Sequence, residues 1–195
     1  MRPIWVAEEL ELPYVLMPIG PRTGETKTPE YTSMNPKQKI PFLEDGDFRL
    51  SESFAICRHL VRKYGSTDTL MEPASAELKA QEDEWLSFIY GELDETSLYV
   101  IRRHGALANI YGEAPEAISA AREYVARQLA VVSAHIQDKH YLMDERFTLA
   151  DLFLTTCLDW VIAYELDLPS NLQSYHSGIT NRPAYGKARQ VNQAG

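Results

Sequence analysis

Residues Asn35 to Tyr64 read NPKQKIPFLEDGDFRLSESFAICRHLVRKY and carry the strongest local signals of the chain. Lys39 to Leu43 is a short apolar run interrupted by Pro41, which predicts an edge strand or a strand entered through an X-Pro bond. Asp45-Gly46-Asp47 is typical of a turn, and Phe48 to Leu50 follows it. The pattern therefore predicts a short hairpin.

A helix is predicted directly after the hairpin. Apolar residues recur on one helical face, and Ser53 places a hydroxyl at the cap position. A helix N-terminus offers free N–H groups and the positive end of the helix dipole, so a carboxylate can bind there with Ser53 as a further donor. Glu52 beside it can hold an ammonium group, so the pair suits the amino-acid end of a peptide. The alternative is that Ser53 only caps its own helix and Glu52 only favours the first turn.

This stretch resembles the glutathione-binding half of the glutathione transferase family. The resemblance rests on the run from Asn35 to Leu43, on Asp45-Gly46, and on Leu50-Ser51-Glu52-Ser53-Phe54-Ala55-Ile56. It implies an α/β thioredoxin-like N-terminal domain followed by an all-α helical domain.

The same resemblance implies roles for individual residues. Pro41 would be cis, and the backbone of Ile40 would pair with the cysteinyl part of glutathione. Glu52 and Ser53 would hold the γ-glutamyl end, and Lys39 would be the partner of the glycyl carboxylate. Gln38 departs from the family pattern, because many members have glycine there.

Two later motifs resemble the family's second domain. Phe147-Thr148-Leu149-Ala150-Asp151-Leu152 predicts a capping box between Thr148 and Asp151, with Phe147 stapled onto Leu152. Asn181-Arg182-Pro183-Ala184-Tyr185 resembles the family's closing segment. With the first match, three motifs follow the family's order over nearly the entire chain.

Composition divides the chain into two predicted domains. Residues 1–65 are expected to form the glutathione-binding domain, residues 66–75 a linker rich in turn formers, and residues 76–195 the helical domain. Apolar stripes with helical spacing predict two long helices in the second domain. Their members are Trp85, Leu86, Ile89 and Leu93 in one, and Ile118, Ala121, Val125, Leu129, Val132 and Ile136 in the other.

The beginning of the chain departs from the family. Ile4 to Leu10 predicts the second half of a helix, Tyr14 to Ile19 a strand, and residues 20–34 an irregular polar loop. The family's first strand, and the loop whose Ser, Tyr or Cys activates the glutathione sulfur, have no counterpart here, so the first domain is expected to be truncated. Either the true start lies upstream, or the remaining strands close up, or a partner chain fills the gap.

Charge and cysteine content narrow the class of protein. A formal net charge of −9 at pH 7 disfavours nucleic acid or an anionic membrane surface as a partner, and no apolar run approaches the length of a membrane span. Cys57 and Cys157 lie in apolar helical patterns and are expected to be buried thiols in the cytoplasm. His135 and His140 are five residues apart, a spacing that disfavours a helical metal pair, so no metal is expected.

Two functions are consistent with these signals. The first is a glutathione S-transferase, usually a homodimer in this family, with glutathione as substrate and a small hydrophobic electrophile as second substrate. Tyr99, Arg103 and His104 fall where the family's first long helix faces the second-substrate pocket; the alternative is an exposed polar helix end. The second function is a non-catalytic binding or interaction module with the same fold.

Overall fold

The computed structural model describes residues 1–20, 22–137, 139–143 and 146–194. Contacts between Cα atoms divide the chain into two compact units. The first comprises Met1–Glu72 with Arg182–Gly195, and the second comprises Pro73–Asn181. The domain limits expected from the sequence stay a prediction. The two compact units differ from them at the C-terminus, because residues 182–195 belong to the first unit.

The first unit is built around a hairpin and the helix that follows it. Its elements are α1 Arg2–Glu9, α2 Pro29–Met34, β1 Phe42–Asp45, β2 Phe48–Ser51, α3 Ser53–Tyr64 and α10 Pro183–Ala194. β1 and β2 are antiparallel, with Phe42 opposite Ser51 and Asp45 opposite Phe48. Gly46 occupies the turn at φ 62°, a left-handed conformation that glycine adopts without a Cβ penalty. The predicted hairpin is therefore present, and its first strand begins after Pro41 because proline has no N–H for the ladder.

The predicted strand from Tyr14 to Ile19 is wrong. These residues form no regular structure, and the side chains of Val15 and Met17 are 87% and 76% exposed. No backbone hydrogen bond joins them to another part of the chain that the structure describes. A strand is stabilised by cross-strand pairing, and the local sequence cannot supply the partner.

The expectation that residues 20–34 are irregular throughout is also wrong. Glu25–Lys27 forms a turn of 3₁₀-helix, and α2 begins at Pro29. The Thr28 hydroxyl accepts a hydrogen bond from the Tyr31 N–H at 3.2 Å, so Thr28 is the N-cap and Pro29 the first helical residue. Proline is favoured at that position because its missing N–H would have no helical partner there. Pro29, expected in the loop, is thus the first residue of a helix.

All regular secondary structure in the second unit is helical over the residues that the structure describes. It contains α4 Ala76–Phe88, a π-helical segment Ile89–Leu98, α5 Tyr99–His104, α6 Ala108–Tyr111, α7 Pro115–Ile136, α8 Leu149–Ala163 and α9 Ser170–Thr180. Five of the six residues of the apolar stripe predicted for the second long helix are buried on α7, namely Ala121, Val125, Leu129, Val132 and Ile136. The sixth, Ile118, is half-buried. No helix among the described residues has both the length and the apolar character needed to cross a membrane.

The predicted capping box at the start of α8 is confirmed. Thr148 is the N-cap, and the Asp151 carboxylate accepts a hydrogen bond from the Thr148 N–H at 2.8 Å. The other Asp151 oxygen accepts from the Leu142 N–H and from the Tyr175 hydroxyl, each at 2.7 Å. Asp151 thus fixes α8, the preceding loop and α9 at one buried point of the second unit.

In the first unit, α1 contacts the start of the closing segment, Arg182 and α10. The Glu9 carboxylate accepts two hydrogen bonds from the Arg182 guanidinium, at 2.7 and 2.6 Å. It also accepts one from Trp5 Nε1 at 2.9 Å, and the Trp5 ring meets Tyr185 edge to face. These contacts explain why the closing helix groups with the first unit.

Candidate functional site

The start of α3 has an unused hydroxyl. Glu52 is the N-cap residue, at φ 76° and ψ 124°, and Ser53 is the first helical residue. This differs from the sequence expectation, which placed Ser53 at the cap. The Ser53 side chain makes no capping hydrogen bond, and neither its hydroxyl nor its backbone N–H has a partner among the described residues. A carboxylate can therefore accept hydrogen bonds from both groups at the positive end of the α3 dipole.

The backbone at Glu52 is held in an unfavourable conformation. A positive φ of 76° is uncommon for a residue with a side chain and costs of order 1–3 kcal/mol. The strain is consistent with a functional role, because such conformations cluster at ligand sites.

The loop before β1 presents an open backbone position at Ile40. The Ile40–Pro41 peptide bond is cis, as the resemblance implied. The preceding carbonyl, that of Lys39, accepts hydrogen bonds from the Tyr31 hydroxyl at 2.8 Å and from Asn35 Nδ2 at 2.7 Å. The backbone N–H and C=O of Ile40 have no hydrogen-bond partner among the described residues. The loop is thus braced by its neighbours while Ile40 is free to pair with an extended peptide.

Tyr31 and Asn35 are functional candidates that the sequence analysis missed. Both side chains are buried in the first unit, and both act on the carbonyl oxygen next to Ile40. Asn35-Pro36 is a turn-forming pair, a local signal from which a bracing role for Asn35 could have been predicted. Tyr31 had no such signal, because its bond to Lys39 depends on the packing of α2.

Lys37 is a third residue that the sequence analysis missed. Its ammonium nitrogen lies 2.8 Å from Glu52 Oε1 and 3.1 Å from Ser51 Oγ. Lys39, by contrast, is exposed, and its side chain has no partner among the described residues. The site therefore contains one cation already paired with Glu52 and a second cation that is unengaged.

The residues expected to face a second substrate lie on α5, in the second unit. Tyr99 and Arg103 are four residues apart and so lie on the same side of the helix. The Arg103 guanidinium lies over the Tyr111 ring at 4.8 Å, and His104 Nδ1 lies 2.9 Å from the Gly112 carbonyl oxygen. Arg103 and His104 therefore have local structural partners, and their role toward a substrate stays a prediction.

The segment leading into α5 is a π-helix. The Tyr124 hydroxyl on α7 donates a hydrogen bond to the Glu92 carboxylate within that segment, which raises the pKa of Tyr124. The sequence of the segment contains no proline, and nothing local distinguished it from an ordinary α-helix.

No thiolate-activating group was expected in residues 1–12, and the first hydroxyl in the chain belongs to Tyr14. That hydroxyl donates to Glu8 Oε1 at 2.6 Å; burial and this hydrogen bond raise the pKa of Tyr14 to about 12. Burial likewise raises the pKa of Cys57 to about 12, so this thiol stays protonated at neutral pH. Within the described parts of the chain, no cluster of three or more His, Cys, Asp or Glu could hold a metal ion.

Comparisons with known proteins match both parts of the chain to one family. The model of the glutathione S-transferase N-terminal domain matches residues 1–62, and that of the C-terminal domain matches residues 64–183. Glutathione S-transferase 4 of Zea mays is 29% identical over 200 residues, covering 100% of this chain and 88% of the relative. Elongation factor 1-gamma 1 of Oryza sativa is 32% identical over 168 residues, covering 83% of this chain and 38% of the relative.

A solved structure gives the same result for the fold. Glutathione transferase URE2P6 from Phanerochaete chrysosporium, in complex with oxidized glutathione, superposes with a TM-score of 0.86 at 25% sequence identity. The superposition covers 99% of this chain and 90% of that one. The fold is a small thioredoxin-like N-terminal domain with two strands, followed by a helical C-terminal domain, as expected. On this evidence the chain belongs to the glutathione S-transferase family.

Proposed function

We propose that this protein binds glutathione in its first unit and transfers the glutathione sulfur to small hydrophobic electrophiles. The observation that carries the proposal is the unused Ser53 hydroxyl and N–H at the start of α3, next to the Glu52 carboxylate. A carboxylate and an ammonium on one carbon match this pair of groups, and the γ-glutamyl end of glutathione has that chemistry. The glutathione bound to the Phanerochaete chrysosporium relative supports the same choice of ligand.

The remaining parts of glutathione have matching groups in the same unit. The open backbone of Ile40 suits the cysteinyl part, because its N–H and C=O can pair with an extended backbone as in a sheet. The unengaged ammonium of Lys39 suits the glycyl carboxylate. We assign the electrophile to Tyr99, Arg103 and His104 of the second unit, and we expect a homodimer acting in the cytoplasm.

Sulfur activation is the demanding step of this proposal. A free thiol has a pKa of about 8.5, so at neutral pH only a few per cent is present as the reactive thiolate. A donor that stabilises the thiolate raises that fraction. We assign this role to no residue of the chain, because the Tyr14 hydroxyl is engaged with Glu8 and residues 1–12 contain no hydroxyl.

One of the relatives favours a second candidate function. A site that holds glutathione without an activating donor would act as a binding module with no turnover. The similarity to elongation factor 1-gamma 1, a relative named for a different process, is consistent with such a role. Glutathione binding without conjugation of a generic aryl halide would favour the module, and binding with conjugation would favour the enzyme.

Substitution of Ser53 tests the site directly. Ser53→Ala is expected to weaken glutathione binding about fivefold or more, because it removes a hydrogen bond worth about 1 kcal/mol or more to a charged group. The dissociation constant is measured by titration calorimetry. The matched control is Ser33→Ala, since the Ser33 hydroxyl donates to the Glu30 carbonyl of its own helix at 2.7 Å. An unchanged constant for Ser53→Ala would remove Ser53 from the site.

A further inference from the structure

We propose that Lys37 is an internal competitor for the Glu52 carboxylate, so that a ligand ammonium group binds Glu52 only by displacing the Lys37 ammonium. This inference rests on the proposed function, because it concerns the γ-glutamyl end of glutathione. It adds a residue that sets how strongly the site prefers a ligand with a free amino group.

The geometry places Lys37 where the ligand ammonium is expected. Lys37 Nζ lies 2.8 Å from Glu52 Oε1 and also donates to Ser51 Oγ at 3.1 Å. A lysine ammonium and the α-ammonium of a peptide have the same charge and the same three donor hydrogens. A carboxylate engaged by the first is therefore less available to the second.

The backbone that carries Lys37 is anchored, whereas its side chain is not. The Lys37 N–H donates to Asn35 Oδ1 at 3.2 Å, and the N–H of Gln38, a residue at φ 54°, donates to the Asn35 carbonyl at 2.9 Å. The side chains of Lys37 and Glu52 are 53% and 49% exposed. An ion pair that is half exposed is weak and can open without a backbone movement. Displacing the Lys37 ammonium from Glu52 therefore costs little free energy. That cost still reduces the net binding free energy of the ligand ammonium.

The test compares two ligands that differ in one group. Glutathione carries the ammonium, and glutaryl-cysteinylglycine lacks only that amino group. For each ligand the dissociation constant is measured with the wild-type chain and with Lys37→Met. We expect the preference for glutathione over the analogue to rise about two- to fivefold in Lys37→Met, the range that corresponds to an exposed ion pair. The readout is the ratio of the two dissociation constants. The general attraction of a lysine for an anionic ligand affects both constants and therefore cancels in the ratio.

Two further variants separate competition from a change of overall charge. Lys27→Met removes the same charge from an exposed residue of the first unit and is expected to leave the ratio unchanged. In a Glu52→Gln background, Lys37→Met is expected to lose its effect on the ratio, because the carboxylate for which the two groups compete is gone.

The outcomes distinguish this inference from the proposed function. An unchanged or lower ratio in Lys37→Met, or a rise that persists in the Glu52→Gln background, would overturn the competition and leave the glutathione site intact. Failure of the wild-type chain and of Lys37→Met to bind glutathione at all would overturn the proposed function and this inference with it.

Discussion

Asp45 illustrates how single residues stabilise the first unit. It ends β1, and its carboxylate accepts hydrogen bonds from Lys63 Nζ at 2.9 Å and from the Tyr64 hydroxyl at 2.7 Å; His59 Nε2 lies 2.8 Å away. The hydrogen bond from Lys63, followed by those from His59 and Tyr64, holds the pKa of Asp45 well below its usual range. The hairpin is thereby attached to the second half of α3.

The Asp45 interactions predict a pH dependence of stability. Because the pKa is lower in the folded state, the ionised carboxylate contributes stability that is present above the unfolded pKa of about 3.9 and is lost as the pH falls through the folded pKa. Asp45→Asn is therefore expected to lower Tm at pH 7, and the difference from wild type is expected to shrink below about pH 4. The measurement is thermal unfolding between pH 7 and pH 3.

The control for this prediction is Asp47→Asn, in the turn of the same hairpin. Its side chain is exposed and has no partner among the described residues, so little effect is expected at any pH. A difference in Tm between wild type and Asp45→Asn that stays constant over the whole pH range would contradict a contribution of the ionised Asp45 carboxylate to stability.

Among the helices, α8 begins with a buried cap. All residues from Phe147 to Leu158 are buried, so unsatisfied N–H groups at its first turn cannot be compensated by water. The capping box of Thr148 and Asp151 satisfies them from within the segment. The Leu149 N–H donates to the buried Glu82 carboxylate of α4 at 3.2 Å, which attaches α8 to its neighbour.

Thr148→Ala is expected to destabilise the protein by about 1–2 kcal/mol, the upper part of the range for a lost helix cap, because the site is buried. Urea unfolding measures the effect. Ser75→Ala is the comparison, since Ser75 caps α4 through the Leu78 N–H at 3.2 Å but is partly exposed, and it should cost less. An equal or larger loss for Ser75→Ala would show that burial of the cap does not set the cost.

For the molecule as a whole, the pairing of Glu9 with Arg182 joins residues 173 positions apart. The Glu9 side chain is 7% exposed and that of Arg182 is 33% exposed. Removal of the arginine would leave the buried Glu9 carboxylate with the hydrogen bond from the Trp5 indole but without its ion-pair partner. This costs free energy because a buried charge needs a compensating charge.

Arg182→Met is expected to destabilise the protein by about 2 kcal/mol. This is less than the loss on breaking a fully buried ion pair, because Arg182 is partly exposed. Chemical denaturation, monitored by the fluorescence of Trp5 and the other tryptophans, measures the change. Lys187→Met is the control, on the helix α10 that begins directly after Arg182. Lys187 lies 4.0 Å from Glu8 and its side chain is 65% exposed, so its loss should have little effect. An effect of Arg182→Met no larger than that of Lys187→Met would contradict a structural role for the pair.

Much of the candidate site could be predicted from residues 35–53 alone. The hairpin turn and the helix start beside Glu52 and Ser53 depend on residues within a few positions of one another, and the sequence specifies such signals directly. The capping box at Thr148, outside this stretch, could be predicted for the same reason. The resemblance added Ile40 and the cis bond. Their expected roles toward glutathione stay predictions, which the binding measurements test.

The helices with regular apolar stripes, the hairpin and the two-part organisation follow from local preferences and periodicity, so the amino-acid sequence predicts them. Three features are visible only in the folded molecule: residues 14–19 form no strand, Lys37 pairs with Glu52, and Arg182 pairs with Glu9. Each of these depends on a partner distant in sequence. Strand pairing and ion pairing require the partner's position in space, and no local pattern encodes that position.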